Sequence, residues 1–82
     1  MDDQEIIHAL EERGGSWNSL FLVGDPPAIS CWTPKGDLYG LVIENDILYR
    51  DCIEFLKRRG ARRFESPDEA MRAFGARSNL NK

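Results

Sequence analysis

The side chains that could support covalent catalysis are two cysteines and one histidine. A cysteine nucleophile would require Cys31 or Cys52 to pair with His8, the only histidine of the chain. Both cysteines fall at apolar-face positions of predicted elements, where cysteine usually behaves as a small buried hydrophobic residue. No neighbouring group would lower a thiol pKa at either position. The sequence therefore predicts a protein that is not an enzyme.

His8 also lies one helical turn from Glu11 and Glu12, a spacing that could hold a metal ion. One helical turn alone supplies too few ligands for a metal site, so a solvated histidine is the better interpretation. The glycine pair at 14–15 lacks the spacing and the preceding strand of a phosphate-binding loop. We therefore predict no metal, no other cofactor and no small-molecule substrate.

Residues 57–63 form the densest charge cluster, with five cations in seven positions. In one interpretation these cations stabilise the negative end of a helix and pair with nearby acids such as Glu54. In the alternative, a subset contacts the phosphates of a nucleic acid. The residues assigned to that contact are Lys57, Arg58, Arg62 and Arg63. Because consecutive residues of an extended segment point to opposite sides, Arg62 and Arg63 would divide the patch, which favours the first interpretation.

Aromatic residues form the second candidate surface, and its geometry depends on a predicted meander. Three short apolar runs are separated by turn sequences rich in proline and glycine, which predicts three antiparallel strands. If each turn contains four residues, Val23 faces Ala28 and Trp32 faces Asp37. Side-chain alternation then sorts the residues of the strands onto two faces.

One predicted face of the meander carries all of its aromatic residues. It also receives Val23, Ala28, Ser30, Leu41 and Ile43, whereas the opposite face is small and aliphatic and comprises Leu20, Leu22, Ile29, Cys31, Leu38 and Val42. The aromatic face could be a second core layer beneath a helix, or a surface that another chain covers. Because aromatic residues combine a large contact area with few rotatable bonds, we predict the second. In that prediction Phe21, Trp32 and Tyr39 bind a protein partner.

The elements that must position these residues follow from the spacing of apolar side chains. Predicted strands cover 20–23, 28–32 and 38–43, and predicted helices cover 3–13, 46–59 and 67–74. Residues 61–65 are also extended, and one interpretation is a short fourth strand that runs parallel to the third. The predicted fold class is α+β. A three-stranded antiparallel meander, with the fourth strand as an option, packs with three helices in the order α-β-β-β-α-(β)-α.

Local signals indicate where the helices begin and end. Asn45 precedes the second helix and can accept hydrogen bonds from its free N–H groups. Ser66 and Glu69 flank Pro67 as a capping box at the start of the last helix. Gly75 is predicted to end that helix, so residues 1–75 form one globular domain and 76–82 a flexible tail.

Composition and charge limit the class of protein. The 82 residues are 41% hydrophobic and 30% charged, which is typical of one small globular domain. The net charge of -3 is unevenly distributed, because residues 1–46 hold nine acids and two bases while 47–82 hold nine bases and five acids. Halves of opposite charge can attract each other within one chain or between copies.

The sequence also indicates where the protein is located in the cell and what kind of function it has. No apolar run is long enough for a membrane span, no secretory signal is visible, and two cysteines are too few for a disulfide scaffold. We therefore expect a cytoplasmic protein. Its predicted function is a small protein–protein interaction or regulatory module that binds a protein partner or associates with itself as a homo-oligomer. The alternative is a nucleic-acid-binding protein that uses the cluster at 57–63.

Overall fold

A computed structural model describes the backbone of residues 2–80 and the side chains of residues 2–74. The elements follow in the order α1 (Asp3–Gly14), a 3-10 turn (Trp17–Ser19), β1 (Phe21–Val23), β2 (Ala28–Trp32), β3 (Leu38–Gly40), α2 (Asp46–Arg58), β4 (Arg63–Phe64) and α3 (Pro67–Leu80). The predicted α+β class is confirmed, and the optional fourth strand is present. Within the described residues, no helix combines the length and the apolar character needed to cross a membrane.

Each α-helix begins at a polar side chain that accepts a hydrogen bond from the first turn. Asp2 accepts from the Glu5 N–H at 2.9 Å, and Asn45 accepts from the Leu48 N–H at 2.9 Å. At α3, Ser66 Oγ accepts from the Glu69 N–H at 3.2 Å. The Glu69 carboxylate in turn accepts from the Glu65 N–H, which precedes the cap, at 3.0 Å. These bonds satisfy N–H groups that have no partner inside a helix.

The last helix is longer than predicted. The prediction that it ends at Gly75 is wrong, because the helical backbone continues to Leu80. A glycine inside a helix costs about 0.5–1 kcal/mol relative to alanine, which weakens a helix without ending it. Of the predicted tail at 76–82, residues 81–82 lie outside the described residues, and the flexibility of the tail stays a prediction.

The four strands form one mixed sheet in the order β3-β2-β1-β4. β1, β2 and β3 are antiparallel neighbours, while β4 pairs with β1 in parallel, with Leu22 opposite Arg63. β4 therefore has the same direction as β3, as predicted, but lies at the other edge of the sheet. The connection through α2 crosses both intervening strands, so β3 and β4 are the two edge strands.

Helices cover both faces of the sheet and divide the core into two layers. α1 and α2 cover one face, where the buried residues are Ile6, Leu10, Leu20, Leu22, Ile29, Leu48, Cys52, Ile53, Phe55 and Leu56. α3 covers the other face, where the buried residues are Phe21, Val23, Phe64 and Ala70. Burial of both faces is what allows so short a chain to remove its aromatic residues from water.

The second turn of the meander contains five residues, not the four that were predicted. The first turn has four, with Val23 opposite Ala28, but Trp32 pairs with Leu38 and not with Asp37. Gly36 adopts a left-handed φ of 92°, and its N–H donates to the Thr33 carbonyl at 2.9 Å. The Thr33 N–H donates to the Asp37 carbonyl at 2.8 Å. The extra residue is accommodated as a bulge at the end of the hairpin, a common arrangement after a left-handed glycine.

A shift of one residue exchanges the two faces of the third strand. Leu38 lies on the α3 side with Trp32, and Tyr39 lies on the α1 and α2 side opposite Cys31. Leu41 and Ile43 also pack against the α1 and α2 core layer. The predicted assignment of these four side chains to faces is therefore wrong, although the assignments for β1 and β2 are confirmed.

Candidate interaction surfaces

The predicted aromatic surface does not form as one exposed patch. Phe21 is only 2% exposed and lies in the core layer beneath α3. Trp32 is half-buried there, its indole N–H donates to the Ala70 carbonyl at 3.1 Å, and its ring lies 5.8 Å from that of Phe74. Tyr39 is 49% exposed on the opposite face of the sheet. The core interpretation is therefore correct for Phe21 and Trp32, because α3 covers them, and only Tyr39 remains available as an exposed aromatic residue.

The basic cluster is exposed but divided. Lys57, Arg58, Arg62 and Arg63 are all at the surface. Arg58 pairs with Asp3 of α1 at 3.3 Å, whereas Glu54 was the partner expected from helix spacing. Arg62 lies over the Phe64 ring on the α3 side, and the register of β4 directs Arg63 to the other face, as predicted. The four residues do not converge on one site, and phosphate contact by this set stays a prediction.

The potential catalytic and metal-binding residues lie in unrelated places. Cys52 is buried and Cys31 is half-buried, and burial raises the pKa of both thiols, which disfavours the nucleophilic thiolate. His8 Nε2 lies 3.0 Å from Glu12 Oε1 on the exposed side of α1. Among residues 2–80, no group of three or more His, Cys, Asp or Glu side chains is placed to hold a metal ion.

On the outer side of β3, main-chain groups have no hydrogen-bond partner among the described residues. Thr33 donates to the Asp37 carbonyl and Leu41 donates to the Ile29 carbonyl, both at 2.8 Å. Because an antiparallel ladder alternates along each strand, Tyr39 directs its peptide groups towards β2. Leu38 and Gly40 consequently direct their N–H and C=O groups away from the sheet. We call this outer side, with the exposed side chains of residues 38–43, the β3 edge.

The side chains along the β3 edge are uncharged over six consecutive residues, 38–43. Tyr39 is 49% exposed and Val42 is 73% exposed, and Ile47 in the first turn of α2 is 70% exposed. A Cβ atom placed on Gly40 would have no described neighbour within 4 Å, so no described side chain packs on the strand at this position. The edge therefore combines exposed apolar side chains with hydrogen-bonding groups that no described residue satisfies.

A groove of about 910 Å³ lies elsewhere, between the 3-10 turn, the end of α2 and the end of β2. Arg59 and Arg62 lie on its wall, and we call it the arginine groove. The Arg59 guanidinium lies 5.3 Å from the ring centre of Trp17 and 5.0 Å from that of Phe55. The Arg62 guanidinium lies 5.9 Å from the ring centre of Trp32 and 5.0 Å from that of Phe64. The full lining is Trp17, Asn18, Ser19, Leu20, Phe21, Trp32, Thr33, Pro34, Leu56, Arg59, Gly60, Ala61, Arg62 and Phe74.

Sequence reasoning missed two residues of this groove and the way in which they meet. Neither Arg59 nor Trp17 was among the residues predicted to contact phosphate or to bind a protein partner. The separation of Phe55 and Arg59 by one helical turn was a usable signal, because residues four apart lie on the same side of a helix. The approach of Trp17 depends on the 3-10 turn, which no local sequence pattern predicts.

No protein-family model, curated protein or solved structure matches the chain. We therefore infer its function from the groups that its surface presents. Two surfaces present such groups, the β3 edge and the arginine groove.

Proposed function

We propose that this chain is a small protein–protein interaction module that associates through the β3 edge, with a second copy of itself as the partner. The observation that carries the proposal is the outward direction of the peptide groups of Leu38 and Gly40 on a strand without charge. A free edge of this kind is a template on which another strand can pair.

A second copy is the simplest partner for geometric reasons. When two copies of β3 pair in antiparallel fashion about a twofold axis, each copy offers the same donors and acceptors to the other. Tyr39 and Val42 then gain contact across the new pair, and tyrosine contributes a large area with few rotatable bonds. The strand is short, so the expected association is reversible and depends on concentration.

We also propose the cytoplasm as the setting of this module. The cysteines Cys31 and Cys52 are free thiols in the fold. Free thiols persist in a reducing compartment, whereas extracellular domains of this size commonly use disulfides. A cytoplasmic interaction module thus remains the interpretation that the surface groups and thiols support best.

Sedimentation velocity from micromolar to millimolar protein tests the association. The wild-type chain should show a sedimentation coefficient that rises with concentration. The double variant Tyr39→Lys/Val42→Lys should remain monomeric, because lysine at a strand edge repels a second copy.

Met71→Lys is the matched control, since Met71 is a 44% exposed apolar residue on α3, away from β3. It should self-associate like the wild type. Circular dichroism should show that all three proteins are folded. A wild-type chain that is monomeric at millimolar concentration would contradict the proposal. An equal loss of self-association in the double variant and in the control would also contradict it.

A further inference from the structure

We infer that the arginine groove is a binding site for an acidic peptide segment of a partner protein, whose carboxylates pair with Arg59 and Arg62. No residue of β3 lines this groove, so the inference is independent of association through the β3 edge. It assigns a second binding surface, with a ligand of opposite charge, to the same small domain.

The two guanidinium groups are oriented by aromatic rings. Arg59 lies over Trp17 and Phe55, and Arg62 lies over Trp32 and Phe64. A guanidinium that uses its flat face against a ring retains the N–H groups along its edge for hydrogen bonds. Carboxylates match that edge with two parallel hydrogen bonds, a geometry that lysine cannot offer.

The charge of the groove is uncompensated by its own lining. Among the described residues, the lining contains two arginines and no Asp or Glu side chain. The acid nearest to this charge is Asp3 of α1, which lies outside the lining and approaches both Arg58 and Arg59 at 3.3 Å. Asp3 and both arginines are substantially exposed, so water screens these pairs and a ligand carboxylate can compete for Arg59. Arg59 therefore already pairs with a carboxylate of the chain, and a ligand carboxylate would replace Asp3 there.

The remaining lining favours a peptide over a single ion. Leu20, Trp17 and Phe74 contribute apolar lining, and Ser19 and Thr33 contribute hydroxyl groups to the lining. A volume of about 910 Å³ exceeds what one oxyanion fills and accommodates several peptide residues. An acidic segment that also carries apolar side chains complements both features.

Nucleic acid is a poorer fit to the same groove. The Trp32 ring already has Phe21, Phe64 and Phe74 within 6.1 Å of its centre, so it offers little free surface for a stacked base. Lys57, Arg58 and Arg63 do not line the groove, so the cations form no continuous path along which a phosphate backbone could bind.

Nuclear magnetic resonance titration of the full chain tests this site. The probe is a short peptide of glutamate and leucine, and the matched peptide replaces every glutamate with glutamine. The glutamate peptide should shift the Trp17 and Trp32 indole signals and the Arg59 and Arg62 side-chain signals. The glutamine peptide should shift none of them.

Charge-neutralising variants locate the binding. Arg59→Gln and Arg62→Gln should each weaken peptide binding about tenfold, the loss expected when hydrogen bonds to a charged group are removed. Arg63→Gln is the matched control, because it changes the net charge equally on the opposite face of β4 and should leave affinity unchanged. Thermal unfolding should confirm that the three variants are folded.

Four outcomes would overturn the inference. They are no response to the glutamate peptide, equal weakening by Arg63→Gln, equally tight binding of inorganic phosphate alone, or tighter binding of a single-stranded oligonucleotide that depends on Arg59 and Arg62. The Tyr39→Lys/Val42→Lys variant should bind the peptide like the wild type. Failure of self-association is therefore distinguishable from failure of the groove.

Discussion

The two edges of the sheet differ in charge and in the number of free peptide groups. At β4, Arg63 is the residue that faces outward, and it lies between Arg62 and Glu65, all of them exposed. At the β3 edge, both Leu38 and Gly40 face outward within six uncharged residues. Charged side chains on an edge strand prevent pairing with other chains, and their absence permits it. We therefore expect association at β3 and none at β4.

A substitution in β2, an interior strand of the sheet, should have the largest effect on stability. Trp32→Ala removes a ring that packs against Phe21, Phe64 and Phe74 beneath α3. The expected cost is about 3–5 kcal/mol, enough to unfold a domain of this size. Tyr39→Ala, at the β3 edge, should change the free energy of unfolding by less than about 1 kcal/mol. Chemical denaturation measures both, and a folded Trp32→Ala protein of near-native stability would show that Trp32 is not a core residue.

The turn that sets the register of β3 should be the next most sensitive position. Gly36 has a φ of 92°, and a Cβ atom there would lie 2.7 Å from the Phe74 ring. Gly36→Ala should therefore cost about 1–3 kcal/mol through backbone strain and displacement of that ring. Gly40→Ala places the same methyl group in open space and should change stability by less than about 0.5 kcal/mol. Equal melting temperatures for the two variants would contradict the five-residue turn.

The cap of α3 should have a smaller effect, although this helix contacts both edge strands. Ser66→Ala removes the acceptor for the Glu69 N–H and should cost about 1 kcal/mol. Glu69→Gln keeps an oxygen acceptor for the Glu65 N–H and should cost less. Thermal unfolding of both variants at one pH tests the order, and a larger loss in Glu69→Gln would be inconsistent with the cap geometry.

Removing charge from the β4 edge should have the smallest effect. Arg63→Thr/Glu65→Thr removes two of the three exposed charges, keeps Arg62 and leaves a single outward-facing residue, so it should raise self-association only slightly. Stability should hardly change, because both side chains are exposed. Sedimentation velocity of this variant beside the wild type provides the measurement. Strong new association at β4 would mean that charge, more than the number of free peptide groups, distinguishes the edges.

Local patterns in the sequence were sufficient to predict most of the fold. The change from extended to helical spacing near Asn45 and the capping residues at Ser66 and Glu69 are encoded within a few residues. The five-residue turn was not predictable in this way, because it depends on the left-handed Gly36, the bond between Thr33 and Asp37, and the Phe74 ring beside them. One extra residue then reversed the faces of β3 and invalidated the predicted aromatic surface.

The candidate sites were less predictable than the fold. Arg62 and Trp32 were each identified from sequence, but on separate surfaces, and the structure brings them together with Arg59 and Trp17 in one groove. Those four residues come from three separate segments of the chain, the 3-10 turn, β2 and residues 57–63, so their meeting depends on tertiary packing. The β3 edge could not be predicted either, because the sequence does not establish which strands lie at the edges of the sheet.

Amide hydrogen exchange tests the central claim most directly. In dilute solution the N–H groups of Leu38, Gly40 and Arg63 should all exchange fast, because each points away from the sheet. As protein concentration rises, the account predicts increasing protection at Leu38 and Gly40, with Arg63 unchanged. Exchange that stays fast at Leu38 and Gly40 up to millimolar concentration, or protection that appears at Arg63 instead, would contradict association through the β3 edge.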